Sequence, residues 1–143
     1  LIKEFGYKYY MNDIAAAMLT AQLDDLSAVL KRRKEIVERY RKELAGVPGL
    51  SLFENTPDRQ SGNWLFTVCV KNRDAFQNKL DNYRIESSMV HIRCDICPIF
   101  GGRRQEDLPV MNEIESGYVS IPLHCKLTDD DVSKIIKVIK SGW

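Results

Sequence analysis

The chain has 143 residues, 44% of them apolar and 29% charged, enough for one globular domain that buries roughly two-thirds of its unfolded surface. Its 21 basic and 20 acidic side chains leave a formal net charge of +1, which gives no electrostatic footprint for a nucleic-acid partner. No apolar run approaches the ~20 residues that span a bilayer and there is no secretory h-region, so a membrane partner is not expected either.

The pattern begins with an aromatic, glycine-started loop over residues 1–12, including Gly6-Tyr7-Lys8-Tyr9-Tyr10-Met11. Asn12 or Asp13 then caps one long predicted helix over 13–45. Leu19, Leu23, Leu26, Leu30, Val37, Tyr40 and Leu44 recur along it at steps of three and four, with Arg33 filling the missing slot, and this spacing predicts a buried stripe. Ala15, Ala16, Ala17 and Met18 widen the apolar surface of its first turns. A free-standing domain seldom starts with a helix apolar nearly all round, because such a surface needs a cover. Gly46, Pro48 and Gly49 stop the helix. The basic run Lys31-Arg32-Arg33-Lys34 is followed by Glu35, Glu38 and Glu43, and so reads as a solvated face.

Leu50 to Phe53 predicts a short strand, and the alternation from Trp64 to Val70 predicts a second, with Trp64, Phe66, Val68 and Val70 on one face and Leu65, Thr67 and Cys69 on the other. Asn72 caps a short helix that buries Phe76, Leu80 and Tyr83. Glu86 to Ile92 reads as another long strand, and Asp95 to Ser116 as irregular loop with at most one helical turn. Tyr118 to Ile121 predicts a further strand. Thr128-Asp129-Asp130-Asp131 then caps a final helix that buries Val132, Ile135, Ile136 and Ile139 and shows Lys134, Lys137 and Lys140 to water. Helices on one face of a small antiparallel or mixed sheet satisfy this order, which makes the fold class α+β, with 50–143 supplying the sheet and remaining helices of a single domain.

Cys94-Asp95-Ile96-Cys97 has a C-x-x-C spacing, with Cys69 and Cys125 elsewhere and His124 beside the latter. Only one pair has ligand-like spacing, and Pro98 with a glycine turn follows where a redox motif would need a helix N-terminus. Reduced cysteines without a metal, in the cytoplasm, are therefore expected. His91, Arg93 and Asp95 alternate, which in an uninterrupted strand puts all three on one face. Two readings stay open: a hydrogen bond and charge offered to a ligand, or a strand-end histidine paired with Asp95. Gly101-Gly102 could form an anion-binding nest or an ordinary turn.

Seven segments together resemble the C-terminal small domain of the DegT/DnrJ/EryC1/StrS family. They are the Gly6–Ile14 loop, the long helix with Arg32-Arg33 midway, Trp64-Leu65-Phe66, Val90-His91, Leu108-Pro109, Ile121-Pro122-Leu123-His124, and Leu127 to Val132. These are aminotransferases that use pyridoxal phosphate (PLP) and act on nucleotide-linked keto-sugars. The resemblance implies the small domain of a fold-type I PLP-dependent transferase, with PLP held by the intact parent enzyme and none bound to this chain alone. The Schiff-base lysine belongs to the family's N-terminal domain, and nothing in this sequence matches its Ser-and-Lys motif, so no catalytic residue is expected here. The implied partners are a second copy of the chain or the missing N-terminal domain, and a nucleotide-sugar substrate. On the cofactor side the resemblance points to Lys8, where the family usually has Asn, and to Tyr10, where it usually has Arg; Tyr10 gives up a bidentate donor. On the substrate side it points to His91 and Arg93. A start at Leu1 suggests a trimmed or truncated chain. The alternative is a non-catalytic binding or oligomerisation module that kept the fold.

Overall fold

The computed structural model describes residues 1–4, 6 and 10–143. Two helices open it, α1 over Asp13–Leu23 and α2 over Leu26–Leu44. Asn12 caps α1, its side chain accepting from Ala15 N at 2.8 Å. The single long helix expected from the leucine spacing is interrupted at Asp24-Asp25, where Asp25 takes φ −92° and ψ −6°. Two adjacent aspartates repel each other and are poor interior helix residues, so the hydrogen-bond ladder lapses there.

Three strands form an antiparallel sheet in the order β1 (Leu50–Leu52), β2 (Phe66–Val70), β3 (Tyr118–Ile121). Leu50 pairs with Val70, and Val68 sits between Leu52 and Val119. Alternation along β2 sends Phe66, Val68 and Val70 inward, as the sequence predicts, but Trp64, expected on the same face, lies before the strand begins and stays exposed. Three helices cover that face: α2, α3 (Arg73–Asn82) and α5 (Asp129–Lys140). Tyr40 of α2 is fully buried with its ring 5.0 Å from Phe66; its hydroxyl donates to Pro122 O at 3.0 Å, which satisfies the one polar atom it carries inside. Burial pushes its phenol well above the ordinary tyrosine range. α5 is tied to α2 by Arg32, which donates to Leu127 O and to Asp129, and by Arg39, which donates to Ser133 Oγ. The capping box at its start is complete, with Thr128 and Asp131 bonding reciprocally.

Three expectations are corrected. Only the second half of the predicted stripe is buried: Ile36, Val37, Tyr40 and Leu44 are inside, whereas Leu19, Leu23, Leu26 and Leu30 are 38% to 53% exposed and α1 buries nothing. The sheet and α5 end before that level, so nothing in the described chain lies over it. Tyr83 is exposed, and Ile85 takes the inward place. Arg84 adopts φ +58° just after α3, and the turn swings Ile85 inward with its N–H on Leu80 O at 3.0 Å. Glu86 to Ile92 is not a strand. It meets β3 at one bridge, Ser88 with Ser120: continuing that register would set Glu86 opposite Pro122, which has no N–H to give, and at the other end Arg73 Nη1 donates to Tyr118 O at 3.5 Å, the carbonyl that Val90 would need. The loop beyond it is more ordered than expected, holding a 3₁₀ turn at Pro98–Phe100 and α4 over Pro109–Ile114.

Two glycines make the corners possible. Gly49, at φ +80°, lies under the ring of Trp143. Gly117 lets β3 approach β2, since a Cβ there would stand 2.7 Å from Cys69 Sγ and 2.8 Å from Val70 O. No described helix is long and apolar enough to cross a membrane.

Candidate functional site

The outer face of the sheet, opposite the helices, carries Thr67 and Ser120, whose hydroxyls share a hydrogen bond of 3.0 Å. Residues 86–116 cross over this face and leave an apolar cavity of about 260 Å³ between loop and sheet. Phe53, Leu65, Val90, Met111 and Ile114 line it, with His91 and Tyr118 contributing its polar groups. His91 is exposed. Its carbonyl accepts from Tyr118 OH, and its ring lies 5.7 Å from that of Trp64, tilted by 56°. Trp64 itself is 63% exposed, so the two rings, set at an angle, form an exposed polar-aromatic corner. Burial raises the Tyr118 phenol above its ordinary range, which keeps it a donor to that carbonyl.

Arg93 also lines the cavity, but its guanidinium is engaged within the chain. Its Nε and Nη2 bond both carboxylate oxygens of Asp95 at 2.6 Å, and its Nη1 bonds Asn112 Oδ1 at 2.7 Å and Glu115 Oε2 at 3.0 Å. Its side chain is 1% exposed. The histidine–aspartate pair that the alternation left open is thus an arginine–aspartate pair, and the guanidinium is occupied within its own chain. The Arg93 hydrogen bonds, working against desolvation and helped by the Gln105 N–H, hold the Asp95 carboxyl down to about 2, from the usual 3.8.

The pH dependence follows from that direction. A carboxyl with a depressed folded value stabilises the loop above the unfolded value of about 3.9, and the contribution fades as pH falls through about 2. A carboxyl-carbon NMR titration should therefore find Asp95 still ionised at pH 3. Half-protonation near pH 4 would show that the clamp is absent in solution.

Of the cofactor-side residues, only Tyr10 is described. Lys8 lies outside the described residues. Tyr10 is 90% exposed. Gly101 and Gly102 turn their N–H groups inward to Pro98 O and Cys97 O, so they present no anion nest. The four cysteines are free, Cys97 buried and Cys94 exposed, and no group of histidine, cysteine or carboxylates suited to a metal occurs among the described residues. None of the described lysines is buried. The sequence reading missed Trp64 as a neighbour of His91, and Tyr118, Asn112 and Glu115 as the groups that fix the loop. Tyr118 alone left a signal, since its parity in β3 places it opposite Val119 and Ile121, on the outer face.

Comparison with known proteins agrees with the architecture. The DegT/DnrJ/EryC1/StrS aminotransferase family model matches residues 1–140. GDP-perosamine synthase of Vibrio cholerae is 27% identical over 142 aligned residues, which cover 95% of this chain and 38% of that protein. The crystal structure of the sugar aminotransferase CalS13 from Micromonospora echinospora superposes with a TM-score of 0.88 at 33% identity, over 98% of this chain and 38% of that one. Spr1654 from Streptococcus pneumoniae, in its PLP-form, gives a TM-score of 0.81 at 26% identity, over 94% of this chain and 36% of its own. The chain therefore spans less than two-fifths of the relatives that it matches. With five helices on and around a three-stranded antiparallel sheet, and a family match over nearly its whole length, this chain belongs to the DegT/DnrJ/EryC1/StrS aminotransferase family.

Proposed function

We propose that this chain is the small-domain part of a PLP-dependent aminotransferase acting on nucleotide-linked keto-sugars in the cytoplasm. Its share of the work is to bind substrate and to join the rest of the enzyme. The observation that carries this reading is the family match over residues 1–140 in a chain that spans about 38% of such enzymes. The uncovered helix α1 supports it: a helix apolar nearly all round belongs inside a larger assembly, yet none of its residues is buried here. PLP, where bound, supplies the electron sink; the Schiff-base lysine is assigned to the rest of the enzyme, and Lys8 and Tyr10 to the cofactor side, with Lys8 a cationic donor to the cofactor phosphate. His91 and Trp64 present a hydrogen-bonding ring and a stacking face to the sugar nucleotide. The uncovered α1 also favours a second reading, a non-catalytic module that pairs through this helix.

One experiment with two arms tests the proposal. Titrating the chain with a guanosine or uridine diphosphate sugar should move the ring resonances of His91, with His91→Ala weakening binding roughly tenfold, as loss of one hydrogen bond implies. Incubation with PLP followed by borohydride should leave no stoichiometric, site-specific pyridoxyl-lysine. Indifference of His91 to the sugar nucleotide would favour the binding-module reading, and a single labelled lysine would overturn the division of labour.

A further inference from the structure

Side chains from three stretches of the outer loop converge on one buried cation. Asp95 holds the Arg93 guanidinium edge-on through two bonds of 2.6 Å, while Asn112 in α4 and Glu115 just after it take Nη1. The ring of contacts then closes on itself. Gln105 N donates to Asp95 Oδ2 at 2.8 Å, and Asn112 Nδ2 donates to Gln105 O at 3.0 Å. A guanidinium this buried is tolerated only when its N–H groups are met, and here four bonds to three residues meet them. None of these residues belongs to the core between sheet and helices. What they organise is the path of the loop after His91.

His91 is held from one side only by Tyr118, which fixes its carbonyl. A tether at one carbonyl leaves the chain free to turn about it. Arg93, two residues on, supplies the second fixed point and so sets which way the His91 ring faces. We propose that Arg93 is a positioning residue: by clamping Asp95, Asn112 and Glu115 it holds the His91 ring against Trp64 at the mouth of the outer-face cavity. This assignment rests on the reading of His91 as a substrate contact, and it gives Arg93 a different role from direct contact with substrate. The fork geometry is the essential property, because only a planar guanidinium meets both oxygens of Asp95 while still reaching Asn112 and Glu115.

The chain has only two histidines, His91 and His124, so a His124→Gln variant assigns the ring protons of His91 in a one-dimensional proton spectrum. In the wild-type chain Trp64 shifts those protons by its ring current, and Trp64→Leu gives the reference without it. Arg93→Lys keeps the charge and loses the fork. The His91 shift should then fall to the Trp64→Leu value, while far-UV circular dichroism and the methyl resonances of Val68 and Val119 stay in place, a pattern that general destabilisation does not produce. A folded Arg93→Lys chain with the full His91 shift overturns the proposal. If Arg93→Lys does not fold, Asn112→Ala carries the test, since it removes one neutral partner and should reduce the shift in part. An unchanged shift in that variant overturns the proposal equally. Addition of a uridine diphosphate sugar separates the two ideas: a clamp that behaves as described, with His91 resonances indifferent to the nucleotide, sustains the positioning role and removes the substrate contact.

Discussion

Replacing Met18 and Leu23 together with aspartate is expected to abolish self-association of this chain. Ile14, Met18, Leu19, Leu23, Leu26 and Leu30 are between 38% and 73% exposed along α1 and the first turns of α2. Full burial of one such side chain contributes about 1.5–3 kcal/mol. Roughly half of each surface is still available, so one stripe offers on the order of 5–9 kcal/mol, and a contact that covers the stripes of both copies about 10–18 kcal/mol, before any cost is met. Association of two free molecules costs about 4–15 kcal/mol in lost translation and rotation. The balance favours a weak pair, formed at about tens of micromolar, through an isologous two-fold contact. The same stripe would be covered far more firmly by a domain on the same polypeptide, for which much of that cost vanishes. Sedimentation velocity of the wild type beside Met18→Asp/Leu23→Asp decides the matter. A wild type that stays monomeric over that range would reassign the stripe to intramolecular cover alone.

Phe76→Ala should be the most damaging single truncation in the core. Phe76 is 1% exposed and meets Trp143 edge-to-face, with ring centroids 4.9 Å apart and planes at 83°. Removing it loses the transfer energy of the ring and leaves a cavity between α3 and the end of the chain, together about 3–5 kcal/mol. Domains of this size hold about 5–15 kcal/mol in total, so a large share of the stability goes with it. Urea unfolding followed by tryptophan emission reads the change directly. A loss below about 1 kcal/mol would mean that Trp143 collapses into the gap and α3 is only loosely held.

Much of this architecture can be read from residue pattern, and the failures share a physical cause. Phe66, Val68 and Val70 alternate, Val132, Ile135, Ile136 and Ile139 recur at helical spacing, and both sets bury as predicted. Local periodicity reports which face is apolar but not what lies over that face. Leu19 to Leu30 therefore resembled core while standing beyond the edge of the sheet. The same limit applied at the site. The spacing of His91, Arg93 and Asp95 showed that three polar groups are neighbours in an extended run. The partners that decide their roles, Asn112, Glu115 and Tyr118, lie about 20 to 27 residues further on and leave no periodic trace. Glu86 to Ile92 alternates like a strand, but a strand needs a neighbour with free backbone groups, and β3 offers Pro122 without an N–H at one end and a Tyr118 carbonyl already met by Arg73 at the other.

Trp143 has a meaning for how this fold is made. Its indole N–H donates to Lys71 O at 2.7 Å, its ring covers Gly49 and it caps Phe76, so it touches the turn before the first strand, the turn after the second and the helix that follows. α5 fills the remaining core beside it. On the ribosome, α2, the β1–β2 pair and α3 emerge well before either is available. Their apolar faces stay open until residues 129–143 have cleared the exit tunnel, which at about 5–20 residues per second is a wait of several seconds. During that interval the nascent chain shows the surfaces that chaperones bind. Productive closure is then a single late event, in which α5 docks and the tryptophan seals the corner.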